Sequence, residues 1–273
     1  MATSATSNDQ RVLFNVKDNI AYVSLNRPEK HNGLDLDVFK QLIDTAKKIT
    51  KDKSIRAVIL TGEGDSFCAG LDFKAVSKKP SMIPQLFLKM PWTQWNDFQK
   101  VALIWRNIPV PVITAIKGNC FGGGLQIALG SDYRIARPDA SLSVMEIKWG
   151  LIPDMSGTVT LTTLTRYDIA QELTMTGRQF SGQEAYDFGI VSKLSDDPLA
   201  EATELAKTIA EKSPDAIAAT KFLFRKTWKA NPVTALLWER WTQMRLLGRK
   251  NQRIAMKNGL SGKKDPFIDR SSF

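Results

Sequence analysis

At 273 residues, with 43% hydrophobic and 24% charged side chains, the chain can bury a full-sized core, which sets aside a disordered polymer and a small stapled scaffold. Thirty-eight Lys and Arg against 28 Asp and Glu leave a formal charge of +10, suited to an anionic partner: nucleic acid, a membrane surface or a phosphorylated small molecule. Two cysteines, Cys68 and Cys120, make no disulfide framework and fit a reducing compartment, and with a single histidine they make a poor metal set. The opening "MATSATSNDQ" lacks the apolar stretch of a secretory leader, the closing "SSF" is not a peroxisomal address, and no run approaches about 18 apolar residues. A cytoplasmic protein with no membrane span is the expectation.

In chain order, "RVLFNVK" and "NIAYVSLN" are β-rich runs with Asp18 and Asn19 between them, a hairpin signal. "LDVFKQLIDTAKKITKD" shows helical spacing at Val38, Leu42, Ile43, Ala46 and Ile49. "RAVILTG" and "VPVITAIKG" are continuous apolar runs bounded by glycine, the pattern of buried parallel strands. Between these two runs a proline-broken half gives way to a helical half, and Met82, Leu86, Met90, Trp92 and Trp95 offer themselves either as core or as the lining of an apolar pocket. Strands alternating with helices up to about residue 150 argue for stacked β-α units.

After residue 155 the strands nearly stop. "SGQEAYDFG" opens with a capping box, Ser181 and Glu184, and "SPDAIAATKFLFRKTWKA" places Ser213 as N-cap with Pro214 in the first turn. One helical run is predicted from about Pro232 to Asn258, carrying Leu236, Leu237, Trp238, Trp241, Met244 and Leu247. Its apolar load calls for either the core or another subunit as a packing partner. The expected organisation is a core domain over 1–200 and a helical oligomerisation region over 201–273.

Residues 118–124, "GNCFGGG", follow a buried strand and open a helix without a Walker or dinucleotide fingerprint. The first amide N–H groups of that helix lack intrahelical partners, and glycine lets a ligand approach them. Such a terminus stabilises a phosphate or an oxyanion forming on a carbonyl; the plainer reading is close packing of helix on sheet. A second strand-to-glycine turn, "AVILTGEGDSFCAGLDF", doubles the signal.

The segments "LNRPEKHNGLD", "SFCAGLDFK", "KGNCFGGGLQIALGSDYRIA", "MEIKWGLIPD" and "TGRQFSGQEAYDFGIVSKL", in this order, resemble the enoyl-CoA hydratase/isomerase family, the crotonases, from about Val12 to Phe267. The resemblance implies an α/β fold, a spiral of stacked β-β-α units followed by a helical trimerisation region. It implies an acyl-CoA thioester as substrate, no permanently bound cofactor, no metal, and a homotrimer or a hexamer built as a dimer of trimers. The family's oxyanion hole falls on the backbone N–H groups of Leu71 and Gly123. Its coenzyme A contacts fall on Lys30, Ala69, Asp72, Lys263, Lys264 and Phe267, which gives the basic charge an ordinary explanation and weighs against nucleic acid as the partner.

Hydratases of this family use two glutamates, at the places that here hold Gln126 and Glu146. An amide takes no proton at neutral pH, though it can orient a water or a carbonyl. Asp154, eight residues after Glu146, matches the position of an aspartate in the dienoyl-CoA isomerases of the family. Glu146, Asp154 and Gln126 are therefore the expected catalytic set, and double-bond isomerisation ranks ahead of hydration. A protein of the same fold that binds RNA or a partner with little catalysis is the alternative. For the acids the plainer readings are a Glu146–Lys148 surface pair and Asp154 as a helix N-cap. Asp132 in "GSDYRIA" is expected to be structural.

Overall fold

The computed structural model describes residues 10–77, 88 and 93–271. The first two runs form the expected hairpin: β1 (Val12–Lys17) and β2 (Ile20–Leu25) pair antiparallel, and Asp18 and Asn19 both adopt left-handed backbone, φ 53° and 62°. That turn matches the twist of the strands it joins. From β2 the sheet continues in parallel through β3 (Ala57–Gly62), β4 (Val112–Ile116), β6 (Tyr133–Ala136) and β9 (Lys193–Leu194). Every residue of β3 and β4 is buried, which is why these runs read as continuously apolar. A second sheet of three short strands joins β5 (Asn119–Phe121), β7 (Ser141–Ser143) and β8 (Phe180–Ser181). Each turn of the chain thus lays one strand in the large sheet, most add one in the small, and a helix returns it. This is the stacked β-β-α spiral.

The helices follow their sequence signals. Asp35 caps α1 (Leu36–Lys51) by accepting from the Val38 N–H at 2.9 Å, and Val38, Leu42, Ile43, Ala46 and Ile49 all point into the main core. The helical half of the middle segment is α3 (Asp97–Asn107), after the short α2 (Phe73–Val76). The glycine-rich turn opens α4 (Gly123–Leu129), and α5 (Gly157–Leu164) and α6 (Tyr167–Thr176) follow. Ser181 and Glu184 form the capping box of α7 (Gly182–Asp187). The boundary expected near residue 200 falls in the first turns of α8 (Pro198–Ala210). Ala202 and Ala206 of that helix pack on Ile20, Ala57, Ile59, Ile113 and Ile135, so α8 covers the large sheet as part of the core.

Beyond it come α9 (Pro214–Thr227), capped by Ser213, then α10 (Pro232–Leu246) and α11 (Lys250–Ser261). The single helix expected from Pro232 to Asn258 is two. Gly248, at φ 73°, adopts a left-handed conformation that ends one helix and lets the chain turn before the next. Along α10 Val233, Leu236, Leu237, Trp241 and Met244 remain exposed. Asp132 is structural, as read: its Oδ2 accepts from the Val112 N–H at 2.8 Å and from buried Lys221 at 2.6 Å, tying α9 to the sheet.

Candidate active site

Two glycine turns lie side by side. The Cys68 N–H donates to Asn119 O and the Phe121 N–H to Cys68 O, both at 2.9 Å, so the chain entering α2 is stitched to the chain entering α4. A Cβ on Gly70 (φ 88°) would stand 2.9 Å from Phe121 O and 3.8 Å from Gly123 N. The three consecutive glycines have three separate causes. Gly122 takes φ 50°; a Cβ on Gly123 would meet Met155 Sδ at 2.8 Å; one on Gly124 would meet the Cys68 Cβ at 2.6 Å. Close packing and a bare N–H, the two readings of the triplet, are both served. Among the described residues neither the Leu71 N–H nor the Gly123 N–H finds a protein acceptor.

These two N–H groups border a cavity of about 360 Å³, whose lining includes Ala69, Leu71, Gly123, Glu146, Asp154 and Met155. Its apolar wall comes from Phe73, Val76, Phe98, Met145, Trp149 and Leu151, with the Phe73 and Trp149 rings 4.5 Å apart. This wall went unread in the sequence, because the pieces are scattered over three segments and carry no common period. Of the aromatic and methionine cluster offered for a pocket, Trp95 lines a neighbouring cleft, and Met82, Leu86, Met90 and Trp92 lie outside the described residues.

Glu146 begins a 3₁₀ turn, Glu146–Trp149, that Gly150 closes with φ 68°. The segment is not extended, and the pairing with Lys148 does not form. Instead Glu146 Oε1 accepts from Gln126 Nε2 at 2.6 Å, while the buried Oε2 has no partner among the described residues. Burial holds the Glu146 carboxyl above its usual range; the Gln126 amide opposes that shift, and the Asp154 charge adds to it. Burial likewise raises Asp154. Nor is Asp154 a helix cap, because α5 starts at Gly157 with Ser156 in the cap position. Both carboxyls are thus shifted toward the range where a group can both take and give a proton near neutrality.

Gln126 has a different place from the one expected. Its side chain is buried, 2% exposed, and it does not line the cavity. Oε1 accepts from the Met155 N–H at 2.9 Å and the Gly157 N–H at 2.8 Å, and Nε2 is committed to Glu146. Rather than orienting a water or a carbonyl, the amide fixes the Glu146 carboxyl and the turn that carries Asp154 and Met155.

The expected coenzyme A contacts divide. Ala69 lines the cavity and its N–H donates to His31 O at 2.8 Å. Lys30 sits exposed on a 3₁₀ turn, Pro28–Lys30, near enough to help lower Asp72. The Asp72 carboxylate is already in use: Oδ2 accepts from Arg27 Nη2 at 3.0 Å and Oδ1 caps α2 through the Ala75 N–H at 3.0 Å. Arg27, which no local pattern singles out, is 6% exposed and bridges Asp35, Asp72 and Gly33 O, bracing the turn that holds Leu71. Lys263, Lys264 and Phe267 are not brought to the cavity. They line a separate cleft of about 920 Å³, where Arg56 holds Phe267 O at 2.9 Å.

Cys68 and Cys120 are buried, and burial pushes the Cys68 thiol up to about 12, so neither is a thiolate at neutral pH. Among the described residues no group of three or more His, Cys, Asp or Glu is placed to hold a metal, and no helix is long and apolar enough to cross a membrane.

The arrangement is two backbone donors and two acids of raised affinity for protons around a small apolar cavity. That combination can hold an enolate oxygen and move protons on the carbon chain attached to it. Known proteins resemble the chain over most of its length. Residues 15–265 match the family model described as enoyl-CoA hydratase/isomerase. An (E)-benzylidenesuccinyl-CoA hydratase of Thauera aromatica is 34% identical over 77% of this chain and 80% of its own. The mitochondrial Delta(3,5)-Delta(2,4)-dienoyl-CoA isomerase of Rattus norvegicus is 32% identical over 77% of this chain and 66% of its own. The crystal structure of an enoyl-CoA hydratase from Bacillus anthracis superposes with a TM-score of 0.86 at 27% identity, over 94% of this chain and 99% of that one. With the spiral fold and a family match over nearly its whole length, the chain is an enzyme of the enoyl-CoA hydratase/isomerase family, the crotonases.

Proposed function

We propose that the enzyme moves a carbon–carbon double bond along the acyl chain of an enoyl- or dienoyl-CoA thioester. One carboxylate of the Glu146/Asp154 pair takes a proton from carbon at one end of the allylic system. The electrons shift toward the thioester carbonyl, and the Leu71 and Gly123 N–H groups hold the oxygen as its charge grows. The other acid, protonated at the start, returns a proton at the far end. The observation that carries this reading is that Glu146 and Asp154 line one cavity, with the place of a second hydratase acid taken by a buried amide.

Hydration is the second reading, favoured by the 34% identity to a hydratase. It requires Glu146 alone to activate water and deliver the α proton, or Asp154 to reach the water. Coenzyme A enters only as part of the substrate. The exposed apolar face of α10 supports a homotrimer or a dimer of trimers, and in it the cleft of Lys263, Lys264 and Phe267 would meet the nucleotide end of a neighbouring subunit's ligand. A cytoplasmic setting accords with two buried free thiols. The experiment compares double-bond shift in enoyl- and dienoyl-CoA thioesters with hydration of crotonyl-CoA, read by ultraviolet absorbance and mass. Faster isomerisation is expected; efficient hydration with no shift would overturn the reading.

A further inference from the structure

Past Asp154 the molecule holds a second, larger space. A cleft of about 980 Å³ carries Arg106, Arg225, Lys226 and Lys229 in its lining, and Asp154 lines both this cleft and the acyl cavity. Asp154 is also the one carboxylate among the cleft's described lining residues. In the reading proposed above, the thioester lies at Leu71 and Gly123 and Asp154 acts further along the chain. What lies beyond Asp154 therefore receives the distal end of the acyl group.

The charge there is out of balance. Arg106 is half-buried and makes no hydrogen bond or ion pair to the described residues. Arg225 is held by Asn107, through its backbone O at 3.3 Å and its side-chain oxygen. Lys229 donates to Thr162 Oγ1 at 2.8 Å, and Lys226 stands over the Phe222 and Trp238 rings. None of these is a carboxylate. Arg225, Lys221 and Arg134 share the field of one acid, Asp132, which is already bonded to Lys221. Burial holds Arg225 below its usual range, and the Arg106 charge adds to that. Cations withdrawn from water without a counter-ion are costly, and an anion between them removes the cost.

We infer that the acyl group of the substrate ends in a carboxylate, which Arg106 and Arg225 bind in the cleft beyond Asp154. The guanidinium forks suit a carboxylate, and a methyl-ended chain would displace water from both arginines and return nothing. This rests on the acyl-CoA reading of the cavity and narrows its substrate class.

The test uses enoyl-CoA pairs of equal length that end in a methyl or a carboxylate, so that the coenzyme A half is identical. Carboxyl-ended substrates should give the higher kcat/KM by about 10-fold or more, the scale of a charged hydrogen bond. Arg106→Gln, which breaks no side-chain hydrogen bond among the described residues, should collapse that ratio, and Arg106→Lys should restore part of it. A wild-type ratio at or below one, or equal loss on both substrates in Arg106→Gln, overturns the inference. So does a change in association state in Arg106→Gln, which would assign the charge to a subunit contact. If neither substrate turns over, the isomerase reading fails, and calorimetry with the saturated pair decides this one. Binding tighter by about 10-fold for the carboxyl-ended thioester, lost in Arg106→Gln, upholds it, and equal binding overturns it.

Discussion

Replacing Gln126 by Glu tests the site where the structure is most exacting. In the wild type the 126 amide donates to Glu146 Oε1 at 2.6 Å and accepts from two backbone N–H groups. A glutamate keeps the accepting oxygen but sets a second oxygen where the donor was, on the buried side of Glu146. With the charge centres about 4 Å apart and an effective dielectric of about 20, double ionisation costs about 4 kcal/mol. That is roughly a thousandfold preference for a single proton shared by the pair. Glu146 loses the donor that lowered it and gains a like charge that raises it, so its carboxylate form is lost at higher pH than in the wild type. The sign follows: at neutral pH isomerisation should fall by about 100-fold, the lower end for general acid–base catalysis, and recover as the solution is made alkaline. A protonated partner beside Glu146 also provides the acid that hydration lacks, so hydration relative to isomerisation should rise. The assay is both reactions on both proteins across pH. An unshifted pH profile, or a wild type that already hydrates efficiently and gains nothing from Gln126→Glu, refutes the reasoning.

Other outcomes follow from the same geometry. Glu146→Gln and Asp154→Asn should each slow turnover by about 100-fold or more, with solvent-deuterium exchange into substrate falling in step; a wild-type rate in either returns that residue to a structural role. Gly123→Pro removes one oxyanion donor and should cost about 100- to 1000-fold. The nearest neighbours of its Cβ are the flexible ends of Met155 and Leu34, and a folded variant with undiminished rate removes the N–H from the mechanism, while Leu71→Ala should be mild. Gly124→Ala sets a Cβ against both the side chain and the backbone oxygen of Cys68. Overpacking of about 1–3 kcal/mol outweighs the helix preference for alanine, and thermal melting should drop by several degrees. Sedimentation at micromolar concentration should show an oligomer; a stable monomer would leave Leu236, Leu237 and Trp241 facing water and overturn the assembly.

What the sequence determined by itself is whatever depends on neighbours along the chain. The Asp18–Asn19 turn, the spacing of Val38, Leu42, Ala46 and Ile49, and the Ser181/Glu184 box are each written within a few residues and appear as read. Family register likewise carried the order of the site segments, because two glycine turns and a Glu-to-Asp interval are local patterns. The break at Gly248 was legible only in hindsight, since one glycine in an apolar run does not reveal its φ. Tertiary structure alone decided what each polar group has left to offer. The polar atoms of Gln126, Asp72 and Phe267 are taken up by Met155 and Gly157, by Arg27 and Ala75, and by Arg56. Apart from Ala75, those partners come from elsewhere in the fold, up to 211 residues away for Arg56 and Phe267. The same long-range packing buries Glu146 and Asp154 enough to raise both, and desolvation is a property of the finished core that no local pattern encodes.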